Sequence, residues 1–156
     1  MITPKRFQLV LLGSLAALCM ASVAQAAGPY QFYSVTPCRI VDTRRVTGVT
    51  GGPALANQAV RNFPIQGQCG VPSTARAAVL NVTIASPSNA GYLILFPYGT
   101  AQPLVSTINW AAGEPALANG AIVPLGADPS LQLSVYSELY GGGTVQAILD
   151  VTGYFQ

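Results

Sequence analysis

The sequence predicts an all-β protein: a β-sandwich of jelly-roll or Greek-key type, with about nine strands and an internal two-fold duplication, preceded by a signal peptide. Three observations carry the fold class. After residue 27, Gly and Pro recur every few residues, so no segment sustains a 3.6-residue apolar period. The stretches between these breaks are short and rich in Val, Ile, Leu, Tyr and Thr. Several of them alternate apolar and polar residues with the period of a strand.

The N-terminus comes first. Lys5 and Arg6 form a short basic segment, an apolar run extends from Phe7 to Ala24, and Ala24-Gln25-Ala26 supplies an A-x-A cleavage signature. Basic, apolar and small-residue regions in that order predict a secretory signal peptide over 1–26 and one domain over 27–156. A retained membrane anchor is the competing reading, because the run approaches the ~20 residues that span a bilayer. The small residues before the cleavage point favour removal. Cys19 follows Leu18 rather than Gly, Ala or Ser, so a lipid anchor is not expected.

Strands are predicted at 31–36, 39–43, 58–65, 76–86, 91–97, 105–110, 119–125, 131–137 and 144–155. In Leu131-Gln132-Leu133-Ser134-Val135 the apolar residues share one face. Val145, Ala147, Leu149 and Val151 do the same further on. Tyr92 to Phe96 is apolar on both faces, which predicts a central strand. Gly141-Gly142-Gly143 lacks the strand-to-helix context of a phosphate loop and reads as a hairpin connection.

Two segments echo earlier ones. Pro53-Ala54-Leu55-Ala56-Asn57 returns as Pro115-Ala116-Leu117-Ala118-Asn119. Ala78-Val79-Leu80-Asn81-Val82-Thr83 returns as Ala147-Ile148-Leu149-Asp150-Val151-Thr152. Two matches in the same order predict two similar halves that close a single core. The alternative is that P-A-L-A-N is a turn solution used twice.

Removal of residues 1–26 takes Lys5 and Arg6 with it. Arg39, Arg44, Arg45, Arg61 and Arg76 then face Asp42, Glu114, Asp128, Glu138 and Asp150, with no lysine and no histidine. A neutral, charge-poor surface has no field to steer nucleic acid or anionic lipid. It also lacks the repulsion that keeps molecules apart, so self-association is expected to be open to it. Cys38 and Cys69 remain, and in an exported chain an isolated pair reads most simply as a disulfide. A zinc site is the alternative, with no histidine to complete it.

The assembled motifs resemble a known type of module. Thr36-Pro37-Cys38-Arg39-Ile40-Val41-Asp42-Thr43-Arg44 opens the domain, followed by Cys69-Gly70-Val71-Pro72 and Asn81-Val82-Thr83. Phe96-Pro97, Ser106-Thr107-Ile108-Asn109-Trp110 and Ala118-Asn119 come next, and Asp150-Val151-Thr152-Gly153-Tyr154-Phe155 closes it. This is similar to a β-rich module of exported bacterial proteins, found alone or beside catalytic and other extracellular domains. Trp110 stands where that module usually has Phe. The resemblance implies export, a Cys38–Cys69 disulfide and a compact β domain, and it implies no defined activity. The company the module keeps suggests an accessory or attachment role.

The missing residue types narrow the chemistry. Without His or Lys, the Ser-His-Asp, Cys-His and lysine nucleophiles are excluded from the domain. No two carboxylates form a recognisable glycosidase pair, so a non-enzyme without cofactor or metal is expected. Arg39, Asp42, Arg44 and Asp150 are expected to form structural ion pairs that pin the first strand. On a regular strand Arg39 and Asp42 would point to opposite faces, with Arg44 on the face of Asp42. Trp110, Tyr92 and Tyr98 are candidate sugar-binding platforms, with Trp110 partly exposed beside the turn at Ala111-Ala112-Gly113. The leading expectation is an extracellular, cell-surface or periplasmic module with a structural, surface-association or adhesion role. Its partners would be a cell-wall or extracellular polysaccharide, or another surface protein; nucleic acid is not expected, nor a membrane span after cleavage. The alternative is a carbohydrate-binding module.

Overall fold

The computed structural model describes residues 28–156. The predicted signal peptide, its cleavage point and Cys19 lie outside the described residues. Among the described residues there are nine strands and no helix. They are β1 (Phe32–Asp42), β2 (Leu55–Ala56), β3 (Ala59–Phe63), β4 (Ala77–Ala85), β5 (Gly91–Pro97), β6 (Ile108–Trp110), β7 (Ala116–Pro124), β8 (Leu133–Leu139) and β9 (Thr144–Phe155).

Alternation sets the layers. Along β4, Ala78, Leu80, Val82 and Ile84 are buried, while the residues between them are partly exposed. Val145, Ala147, Leu149 and Val151 turn the same way from β9. Opposite them stand Phe63, Leu93, Leu133, Val135 and Trp110, and the two sets form a single core. One sheet runs β1-β9-β4-β7, with β2 also pairing on β9; the other runs β3-β8-β5-β6. Every strand pairing is antiparallel. From β3 onward the chain passes between sheets at each connection except β5 to β6. That order is a jelly roll, with β1 and β2 sharing its first strand position.

The segments expected at 31–36 and 39–43 are one strand. Pro37 suggested a break, but it sits in a register shift between Ser34 and Cys38 on an edge strand, where no ladder N–H is needed. β2, with two residues, is too short to show a period. β7 begins at Ala116, three places before its expected start at 119. The Gly141–Gly143 segment is not a hairpin, because β8 and β9 belong to different sheets. All three glycines have positive φ, and the crossing is fixed by Gly142 N–H to the Leu139 carbonyl and Asn89 Nδ2 to the Gly142 carbonyl.

The echoed segments meet. The two copies of the second echo are neighbours in β4 and β9, with Asn81 directly opposite Asp150. The copies of the first echo lie outside this pair, β2 on β9 and β7 on β4. Strand order is thus symmetric about the β4–β9 pair. Register is not: Leu55 lies opposite Val145, whereas Leu117 lies opposite Ile84.

Candidate functional site

The densest polar constellation lies on the outer face of the five-stranded sheet. A β-bulge builds it. Arg39 pairs with Asp150 and Val41 with Leu149, so two steps on β1 match one on β9. The extra residue, Ile40, brings Asp42 round to the face of Arg39, which a regular strand forbids. Arg39 then grips Asp150 with Nε at 2.7 Å and Nη2 at 3.1 Å. Arg44, beyond the strand end, grips Asp42 with Nε and Nη2, each at 2.8 Å. Arg39 Nη1 at 3.5 Å and Arg45 Nε at 3.7 Å complete the ring around Asp42. Asp42 is only 4% exposed. The Arg44 side chain bonded to it holds its carboxyl down at about 2, against the opposing effect of burial. Arg39 and Arg44 are raised in turn, each chiefly by the hydrogen bond to its aspartate.

This cluster anchors a loop, residues 43–54, that interrupts the run from β1 to β2. Asp42 N–H donates to the Thr50 carbonyl at 2.9 Å and Thr43 N–H to the Ala147 carbonyl at 3.0 Å. Gly52 N–H returns to the Arg45 carbonyl at 3.1 Å. A Cβ on Gly51 would lie 2.1 Å from the Val46 carbonyl oxygen, so the loop closes only with glycine there. From the other sheet, Arg61 donates to the carbonyls of Pro53, Gly51 and Gly48 while its guanidinium sits 4.9 Å over the Phe63 ring. Burial pulls the Arg61 pKa below the ordinary arginine value. The loop thus held presents Val46, 89% exposed, and Val49, 67% exposed. Neither the bulge nor the role of Arg61 carries a sequence signal beyond the T-G-G-P turn composition.

The ring platforms are not where the sequence suggested. Trp110 is 6% exposed and belongs to the core, its Nε1–H donating to the Asn89 carbonyl at 2.8 Å. The reason is parity: Trp110 pairs with Gly91, whose missing side chain makes room for the indole. Tyr92, one residue on, points to the opposite face. Tyr98 lies past the far end of β5, about 20 Å away at strand rise. Trp110, Tyr92 and Tyr98 therefore do not form one site. Tyr92 instead meets Tyr136 and Tyr140, with centroids 6.3 and 6.2 Å apart, on the outer face of the four-stranded sheet. Tyr136 donates its hydroxyl to Glu138, which pushes the phenol up to about 12.

No family model matches the chain. No curated protein matches it either.

Cys38 and Cys69 are joined, with Cα atoms 5.7 Å apart, which ties the β3–β4 crossover to β1. Sequence reasoning passed over Gln132. Its alternation with leucines was legible, but its own side chain is fully buried, whereas Tyr136 and Glu138 further along the same face are partly exposed. Its Oε1 accepts from Ile65 N–H at 2.8 Å and Gln66 N–H at 3.0 Å, and its Nε2 donates to the Asp128 carbonyl at 2.7 Å. The described residues hold no group of three or more His, Cys, Asp or Glu able to bind a metal ion. No described helix is long and apolar enough to cross a membrane. Asp42 and Asp150 are each held by an arginine fork, and Asp42, ionised down to about pH 2, has no proton to give at neutral pH.

Proposed function

We propose that the chain is an exported, non-catalytic β-sandwich module with a structural or adhesive role at a surface, in contact with the cell envelope or another surface protein. One observation carries this reading: the 43–54 loop presents Val46 and Val49 while the Arg44–Asp42 pair holds its start and Arg61 holds its backbone carbonyls. Apolar side chains held in solvent by a rigid frame lose little entropy on contact, which is what a docking loop needs. The disulfide fits an oxidising compartment. The charged groups nearest the loop are spent on one another, which leaves them little to offer a reaction.

The exported, purified chain is mixed with envelopes of the producing cell. Saturable retention, abolished by Val46→Asp with Val49→Asp at unchanged melting temperature, supports the proposal. Absence of retention, or retention indifferent to those changes, overturns it. A second reading is polysaccharide binding on the Tyr92, Tyr136 and Tyr140 face, where Glu138, Gln58 and Asn109 lie near the rings. It predicts binding to isolated polysaccharide that Tyr92→Ala and Tyr140→Ala remove.

A further inference from the structure

The hydrogen bonding of β7 is set at its two ends. Ser86 N–H donates to the Pro115 carbonyl, and Leu125 N–H to the Arg76 carbonyl. Between them the register with β4 runs from Ala77–Pro124 to Ala85–Ala116 without a shift. Antiparallel ladders alternate. Leu117, Asn119, Ala121 and Val123 therefore bond to β4, while Ala116, Ala118, Gly120 and Ile122 turn N–H and C=O away from the sheet. Those four residues are all exposed. Pro124, next in the same parity, has no N–H to lose there.

The other sheet edges are short or broken. β6 has three residues and β3 five. β1 carries Pro37, Arg39 and two register shifts, which are common protections of an edge. β7 has nine residues, no charge and no bulge. The domain after residue 27 has no lysine to place on it. A long, flat, uncharged edge is a template for another strand.

The geometry points to β7 as the seam of a homodimer, with β7 of two copies pairing antiparallel about a two-fold axis that passes between their Gly120 residues. In that arrangement each Gly120 exchanges bonds with Gly120 of the other copy, Ala118 bonds Ile122 of the other copy, and Ala116 N–H meets the other copy's Pro124 carbonyl. The two five-stranded sheets become one. The strand is its own complement: Gly120 faces Gly120, Ala118 faces Ile122 and Ala116 faces Pro124, and a Cβ at Gly120 would meet nothing within 4 Å. Equal numbers of positive and negative side chains after residue 27 leave no net repulsion between copies. A second copy is therefore the occupant, and the inference stands independently of the proposed docking loop.

Sedimentation of the exported, purified chain over a wide concentration range should show the mass doubling. In parallel, amide exchange at Ala118, Gly120 and Ile122 should slow with concentration, while Leu117, Asn119, Ala121 and Val123 stay slow throughout. Ala118→Lys and Gly120→Pro touch only the outward side of the strand and should each give a monomer, with Ala118→Lys melting near the parent. A monomer at every concentration overturns the inference. So does a dimer that persists in both variants, or one in which the outward amides exchange freely. Strand addition by a different protein would leave the purified chain monomeric and falls under the first of these.

Discussion

Asp42 shows how much one side chain can organise. Its carboxyl is ringed by Arg44, Arg39 and Arg45, and it titrates at about 2 when folded against an ordinary value near 4. Between those values the unfolded chain binds more protons, so stability falls as pH drops from about 4 to about 2. Urea midpoints measured across that window should decline, and Asp42→Asn should flatten the decline while lowering stability at pH 7 by about 1–3 kcal/mol. Gln132 is the neutral counterpart. Gln132→Leu keeps the volume but strands the N–H groups of Ile65 and Gln66, a cost of about 2–4 kcal/mol readable by denaturant unfolding. Asp42 stood out in the sequence because it lies among arginines. Gln132 did not, because alternation says which residues share a face and not whether that face is covered.

At the scale of elements, the loop over 43–54 is held mainly through its backbone carbonyls. Arg61→Met would leave the carbonyls of Gly48, Gly51 and Pro53 without their cationic donor. The expected result is faster amide exchange and earlier proteolytic cutting within 43–54, with a global loss of only about 1–2 kcal/mol. Uniform protection of the loop in that variant would remove Arg61 from its role. Strand positions were legible wherever a period of two ran for five or more residues, as in β4 and β9, or where a short apolar run stood between turn residues, as in β5. β1 was read as two pieces because proline usually ends a central strand, and only the sheet order places β1 at an edge.

For the whole molecule, the Cys38–Cys69 bridge closes a loop of 31 residues from β1 through β3 to the crossover before β4. Loop-closure entropy assigns it about 3–4 kcal/mol. Reduction, with free thiols confirmed, should lower the melting temperature by about 10–20 °C in calorimetry. An unchanged melt would mean that the core alone sets stability. The echoed segments belong to this scale too. They meet as the central β4–β9 pair of one sheet, yet their outer partners differ in register, so the sequence echo marks strand order rather than a strict two-fold.

The sequence by itself determined the strand content, the shared apolar faces of β8 and β9, the pairing expected of Cys38 and Cys69 and the absence of histidine and lysine after residue 27. These follow from local rules: alternation, turn residues and composition. Tertiary structure decided that Trp110 is core, because its partner is Gly91 and the parity of β5 turns it inward. It decided that Arg39 and Asp42 share a face, because one bulged residue reverses parity. It also decided that β7 is an open edge and β4 is not, because edge and centre depend on which strands come to lie alongside, and that pairing is made between residues far apart in the chain.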